Sequence, residues 1–268
     1  GSGFSNSYKV DCTTADASLG STDYVQLSHY MEGQDLQRFK KGTSSAESMT
    51  VSFWVKSAKT GTYILEFYDG DNSRSNSQSY TIDAANTWEH KKITVPGDTS
   101  GAFDNDANLS LGLFFILGVG STLSSGTLNT SWNSRVLANV AVGQVNLADS
   151  TSNDWYLTGV QLEVGTEATP FEHRSFGDEL ERCQRYFYKE TYSSSGPYAT
   201  QYVASHRFVT IFHPTTMRAV PTSTTSYSGG TMTEYQSTAR HFKAYIAAQY
   251  DSTGQNYLQT SYQADAEL

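Results

Sequence analysis

The chain has 268 residues, enough for one large or two modest domains with a real core. Charged residues make up only 17% and the net charge is −9, while Ser, Thr, Gly, Asn and Tyr are abundant. That balance excludes a helical bundle or a disordered tail, and it argues against a nucleic-acid partner, because phosphate binding needs a basic surface. Lys40-Lys41 and Lys91-Lys92 are isolated pairs, and no apolar run approaches a membrane span, so no membrane insertion is expected. The opening Gly1-Ser2-Gly3 reads as an added scar or a processing site.

Taken in order, residues 4–12 carry a mixed strand pattern around Phe4, Tyr8 and Val10. A strand is predicted at 23–31, where Val25 and Leu27 alternate with Gln26 and Ser28. The cleanest follows at 48–57: Met49, Val51, Phe53 and Val55 face one way, and Trp54 falls on the polar parity as either an exposed platform or a covered ring. Strands at 62–68 and 78–83 flank the Asp-rich turn Asp69-Gly70-Asp71-Asn72, and 87–95 turns Ile93 and Val95 inward. Along 109–117 both faces are apolar, which predicts a central strand. The Gly/Ser/Asn/Thr-rich stretch 118–153 is long for a loop, hence functional or packed over the domain. From Trp155 to Val164, Tyr156, Val160, Leu162 and Val164 share one parity and read as the buried face.

Ser175, with Asp178 three residues on, predicts a capped short helix whose narrow inner stripe is Leu180, Cys183 and Gln184. Beyond it, strands are predicted at 186–192, 202–212, 222–228, 230–236, 240–250 and 256–264, with Gly229-Gly230 as a hairpin turn. Short strands with turns every ten or so residues indicate an all-β chain. Its parts are a β-sandwich at 1–172, a short helical hinge at 173–185 and a small C-terminal β domain at 186–268. About 80 residues make a thin core, which burial against other copies would relieve.

Few residues point to catalysis. Gly118-Val119-Gly120-Ser121 is not a nucleophile elbow, Cys183 reads as packed, and turn aspartates are favoured for backbone reasons alone, so a non-enzyme is expected. Cys12 and Cys183, far apart in sequence, are read as buried free thiols, with a disulfide between them as the alternative. Asp104, Asp106 and Asn108 place oxygens on alternate residues, which suits a structural calcium ion, although Leu109 and Phe115 break the EF-hand pattern. Saccharides call for rings flanked by amides and carboxylates, since sugar faces stack on rings while hydroxyls need fixed polar partners. Tyr68 with Asp69, Asp71 and Asn72 fits, as does Trp132 with Asn133; Tyr198, Tyr227 and Tyr235 are candidates in distal loops and turns.

One ordered set of motifs adds a family likeness. Thr158-Gly159-Val160-Gln161-Leu162-Glu163-Val164-Gly165, Ala168 to Arg174, Glu179-Leu180 and Cys183 to Tyr186 resemble a signature of tailed-bacteriophage tail-fibre proteins. Ser52 to Ser57, Ala85 to Glu89, Gly97 to Gly101, Phe212 to Pro221 and Asp265 to Leu268 extend the likeness. The resemblance implies a carbohydrate-binding-module-like jelly roll that usually begins earlier, so the expectation is either a fragment or a first strand supplied from elsewhere. It also implies a homotrimer in the virion tail fibre, beside other tail proteins. The implied role is non-catalytic attachment to host-cell polysaccharide or lipopolysaccharide. A decorating virion protein without a host ligand and a polysaccharide-trimming hydrolase are the alternatives.

Overall fold

Residues 3–192, 201–203, 206–227, 232–247 and 260–267 are described by the structure, a computed structural model. It divides into two units, Gly1–Glu172 and His173–Glu267, so the expected hinge helix belongs with the second unit.

The first unit's strands are β1 (Tyr8–Asp11), β2 (Tyr24–Glu32), β3 (Met49–Ser57), β4 (Gly61–Asp69), β5 (Arg74–Ile82), β6 (Glu89–Val95), β7 (Leu109–Val119), β8 (Asn133–Ser134) and β9 (Asp154–Val164). They form two antiparallel sheets, ordered β1-β9-β3-β6 and β2-β7-β4-β5-β8. Successive strands cross between the sheets from β1 to β4, and again at β6, β7 and β9. That is jelly-roll wiring. The first strand comes from this chain, with Val10 of β1 opposite Trp155 of β9.

Alternation builds the core. Met49, Val51, Phe53 and Val55 of β3 pack with Tyr63, Leu65 and Phe67 of β4, Leu111 to Leu117 on one parity of β7, and Trp155 and Leu157 of β9. The opposite parity of β7 is buried too: Phe114 and Ile116 pack with Ile64, Val140 and Ala141. The 118–153 stretch, which includes a helical turn α1 (Ser121–Ser124), therefore folds over the second sheet. Glu66, fully buried, fixes it there by pairing with Arg135 at 2.6 and 2.9 Å.

The parity expected for β9 needs correction. Trp155 and Leu157 face the core, Tyr156 faces outward, and Val160 is exposed. Thr158 opposes Trp54 but Gln161 opposes Ser52, so Gly159 and Val160 together face one β3 residue. This bulge flips the phase, returning Leu162 to the core. Gly159 makes it feasible: its φ is +60°, and a Cβ there would lie 2.4 Å from the Phe4 ring.

In the second unit α2 (Phe176–Gln184) precedes β10 (Phe187–Tyr192), β11 (Gln201–Val203), β12 (His206–Phe212), β13 (Thr222–Tyr227), β14 (Met232–Ser237), β15 (His241–Ala247) and β16 (Thr260–Asp265). Its sheets run β10-β16-β13 and β11-β12-β15-β14. Gly229 and Gly230 lie outside the described residues, and the strands flanking them belong to different sheets rather than to one hairpin. Ile211, Met217, Phe242, Ala244, Tyr262, Ala264 and Ala266 form a small core, and His213 Nε2 lies 2.8 Å from the Tyr262 hydroxyl.

The Ser175 cap is present: its Oγ accepts from Asp178 N at 3.2 Å and donates to the Asp178 carboxylate at 2.7 Å. The expected inner stripe of α2 is not inward. Phe176 is 82% exposed, Leu180 is 42% exposed, and Cys183 is exposed. Both cysteines are free; Cys12 is half-buried, its Sγ within 3.5 Å of the Ala148 carbonyl.

A buried charge ties the first unit's loops together. The Lys41 ammonium pairs with Asp69, lies 3.2 Å from Asp98, and donates to the carbonyls of Ser100 at 3.1 Å and Gly101 at 2.6 Å. The rings of Phe103 and Trp132 close over it at 5.1 and 5.3 Å. Gly42 permits the approach, since its φ is +81° and a Cβ would lie 2.5 Å from Ala102 N. Burial pushes the Asp98 carboxyl up, but bonds from Arg74 and Ser100 N–H, and the Lys41 charge, more than offset this and hold it below its usual range.

Replacing Lys41 with Met leaves the buried Asp69 carboxylate without a cation and Asp98 with Arg74 alone, so the first unit should lose about 3–5 kcal/mol. All four tryptophans lie in that unit, so urea unfolding followed by tryptophan fluorescence reads it alone.

Candidate functional site

Outward-facing residues of the β1-β9-β3-β6 sheet form the site. Trp54 and Lys56 alternate with the buried Phe53 and Val55, and β9's Thr158 and Tyr156 stand opposite them. Across the other edge of β3, His90 of β6 opposes Trp54, and Trp88 immediately precedes β6. The result is two ring pairs on one face. Trp54 and His90 stack at 5.0 Å with 27° between planes. Trp88 and Tyr156 meet edge-on at 6.2 Å and 65°.

Lys56 sits between the second pair, its Nζ 4.1 Å from the Tyr156 ring centre and 5.5 Å from that of Trp88. Such contacts stabilise an ammonium by about 0.5–1 kcal/mol at exposed sites without neutralising it. With Phe4 to Ser7 and Thr158, these residues line a cleft of about 280 Å³. The N-terminal wall is held by Thr158 Oγ1, which donates to the Asn6 carbonyl at 2.8 Å.

Each member is positioned locally. Glu89 accepts from the N–H groups of Asp83 and Ala84 at 2.9 and 2.8 Å and pairs with Lys91 at 2.6 Å, which fixes the turn carrying Trp88. The Tyr156 hydroxyl donates to Asp154 at 2.9 Å, and that carboxylate foremost raises the phenol's pKa, so it stays protonated at neutral pH. Burial, then the Lys92 charge, lowers the pKa of His90, which keeps its imidazole neutral there. Rings, one ammonium and a protonated phenol can hold a flat polar ligand.

The residues expected to bind saccharide lie elsewhere. Asp69 is fully buried as the Lys41 counter-ion, and Asn72 donates to its carboxylate at 3.1 Å and to the Ala102 carbonyl at 2.8 Å. Tyr68 is half-buried, stacked on Phe114 at 5.7 Å with the Arg135 guanidinium 4.9 Å from its ring. Trp132, 8% exposed, belongs to the core and donates through Nε1 to the Pro96 carbonyl at 2.8 Å; Asn133 alone of that pair is exposed. The exposed-ring expectation for both loops is therefore corrected: their aromatics cover the sandwich. Tyr198 lies outside the described residues, while Tyr227 ends β13 and Tyr235 lies at a bulge in β14, in strands rather than loops.

Two of the expected calcium ligands, Asp106 and Asn108, bond each other within their own turn. Asp71 accepts from Asp104 N at 2.9 Å, and Asp106 accepts from Asn108 N at 2.9 Å and from its side-chain amide at 2.6 Å. Among the described residues no three His, Cys, Asp or Glu side chains converge as metal ligands. Sequence reasoning left out Trp88, Lys56 and Tyr156. The signal available was Trp54 and Lys56 on the polar parity of β3, followed by an aromatic at the mouth of β6.

No protein-family model matches the chain, and no curated protein is similar to it at a significant level. Among solved structures it is similar to native recombinant discoidin II of Dictyostelium discoideum at 10% identity, covering 83% of this chain and 74% of that one, with a TM-score of 0.22. A wild-type discoidin II structure from the same organism is similar at 11% identity, covering 97% and 92%, with a TM-score of 0.21. Likenesses this slight carry no argument about the chain.

Burial raises the pKa of Glu89, but bonds from Lys91 and the turn amides, and the Lys91 charge, outweigh it, so the net shift is downward. A lowered carboxylate contributes stability above its unfolded value, about 4.3, and loses it as pH falls through the lower folded value. The Trp88 fluorescence signal, taken as wild type minus Trp88→Phe, should therefore hold steady to about pH 4 and change below it. In Glu89→Ala that acid step should be absent.

Proposed function

We propose that the chain is a non-catalytic adhesin that holds bacterial surface glycans in the Trp88–Lys56–Tyr156 cleft. The observation that carries this is a pair of part-exposed rings, fixed edge-on across a sheet, with a cation and hydroxyls at their margin. Sugar C–H faces stack on such rings, and sugar hydroxyls take the polar rim. The jelly-roll wiring suits the task, because a rigid sheet holds the rings at fixed spacing without a cost in ordering loops.

The tail-fibre resemblance supplies the setting: a virion tail fibre, host polysaccharide or lipopolysaccharide as partner, and a homotrimer. The second unit supports assembly. Phe176, Leu180 and Cys183 recur along α2 at spacings of four and three, which puts them on one stripe of the helix, and all three are exposed. A core containing three alanines gains from burial against copies. Three weak sites on one particle then bind with avidity.

Immobilised lipopolysaccharide and capsular polysaccharide test the first point. Trp88→Ala and Tyr156→Ala should each weaken binding about tenfold or more with circular dichroism unchanged. Folded variants that bind as wild type would overturn the cleft assignment, and release of reducing ends would favour the hydrolase instead. For assembly, light scattering should give the mass of three chains for the wild type and of one for Leu180→Glu.

A further inference from the structure

We infer that the ligand is an anionic oligosaccharide lying along β3, with a carboxylate or phosphate against Lys56 Nζ and its rings on the two aromatic pairs; this rests on the glycan-binding reading above. The first unit's lysines divide sharply. Lys9 faces Asp11 at 3.2 Å, Lys40 faces Glu47 at 2.8 Å, Lys91 faces Glu89 at 2.6 Å, Lys59 pairs with Asp149, and Lys41 with Asp69 and Asp98. Among the described residues Lys56 and Lys92 make no ion pair, and both stand on the outer face of the same sheet. In a chain of net charge −9, carboxylates are plentiful; the Lys92 charge reaches one of them, helping to hold the Glu163 carboxyl below its usual range, which leaves Lys56 as the exception among the first unit's lysines.

Their placement has a direction. Lys92 opposes Ser52, four residues from Lys56 along β3, a separation of roughly 13 Å at strand rise. Trp54 and His90, stacked at 5.0 Å, lie between the two cations, and the Trp88–Tyr156 pair flanks Lys56. Cation, ring pair and cation thus follow one another along a strip. A neutral glycan would use the rings and leave the Lys56 charge idle, whereas an acidic one engages it as well. Lys56 is also held by the Tyr156 ring, so a bound anion need not immobilise a free side chain.

Oligogalacturonate, its fully methyl-esterified form and a phosphorylated lipopolysaccharide core oligosaccharide distinguish the cases by calorimetry on the full chain. The ester keeps the sugar rings and removes the charge. Expected is about tenfold tighter binding of one acidic ligand than of the ester, falling as salt is raised. The ligand that binds tells carboxylate from phosphate. Lys56→Met should erase the preference, so that acid and ester bind alike, Lys56→Arg should keep it, and Trp88→Ala should weaken acid and ester alike. Equal binding of acid and ester, or no effect of Lys56→Met on acid binding, overturns the anionic preference and leaves the glycan-binding reading standing. Binding of none of the three removes both.

Discussion

Lys41 is the point on which the first unit depends. Removing an ammonium from water costs several kcal/mol, and only close carboxylates and carbonyls offset it. Here those partners come from segments far apart in the chain: Asp69 at the end of β4, Asp98 and the Ser100 and Gly101 carbonyls from the β6–β7 connection, and the Trp132 ring from the loop over β5. Asp98 is shared, taking Arg74 at 2.7 and 3.1 Å as well. The charge is satisfied only when every one of these segments is in place, so the network selects one arrangement of loops at that end of the sandwich.

That arrangement frees the opposite surface for other work. Loop aromatics at Tyr68 and Trp132 are spent covering the second sheet and the core, while β3, β6 and β9 carry outward rings on regular backbone. Side chains on strands two residues apart are held about 7 Å from each other by the pleat. A site built there inherits the rigidity of the jelly roll. The bulge at Gly159 contributes directly: by changing phase, it lets β9 send Trp155 and Leu157 inward and Tyr156 outward, then return Leu162 to the core.

The motif residues around 158–172 also acquire a physical role. Gln161 accepts from Glu172 N at 2.8 Å, and Glu163 accepts from Thr169 N at 3.1 Å and from its hydroxyl at 2.5 Å. Phe171 meets Phe4 edge-on at 4.9 Å. These contacts fold the 166–172 segment back on β9 and brace the N-terminal strand against it, which closes the first sheet. The motif is thus a structural clasp, and the candidate ligand residues lie beside it.

Strand positions, the central place of β7 and the Ser175-capped helix were legible in the sequence, because alternation, two-faced apolarity and a capping side chain are local properties that each segment carries by itself. So was the sandwich class. Three things were decided by tertiary structure. Whether Asp69 and Trp132 meet solvent depends on Lys41, distant in sequence, so no local pattern reports it. The parity of Tyr156 depends on a bulge, which one glycine permits and the pairing with β3 imposes. And the cleft itself joins residue 56 to 88 and 156, whose only connection is that antiparallel pairing sets them side by side.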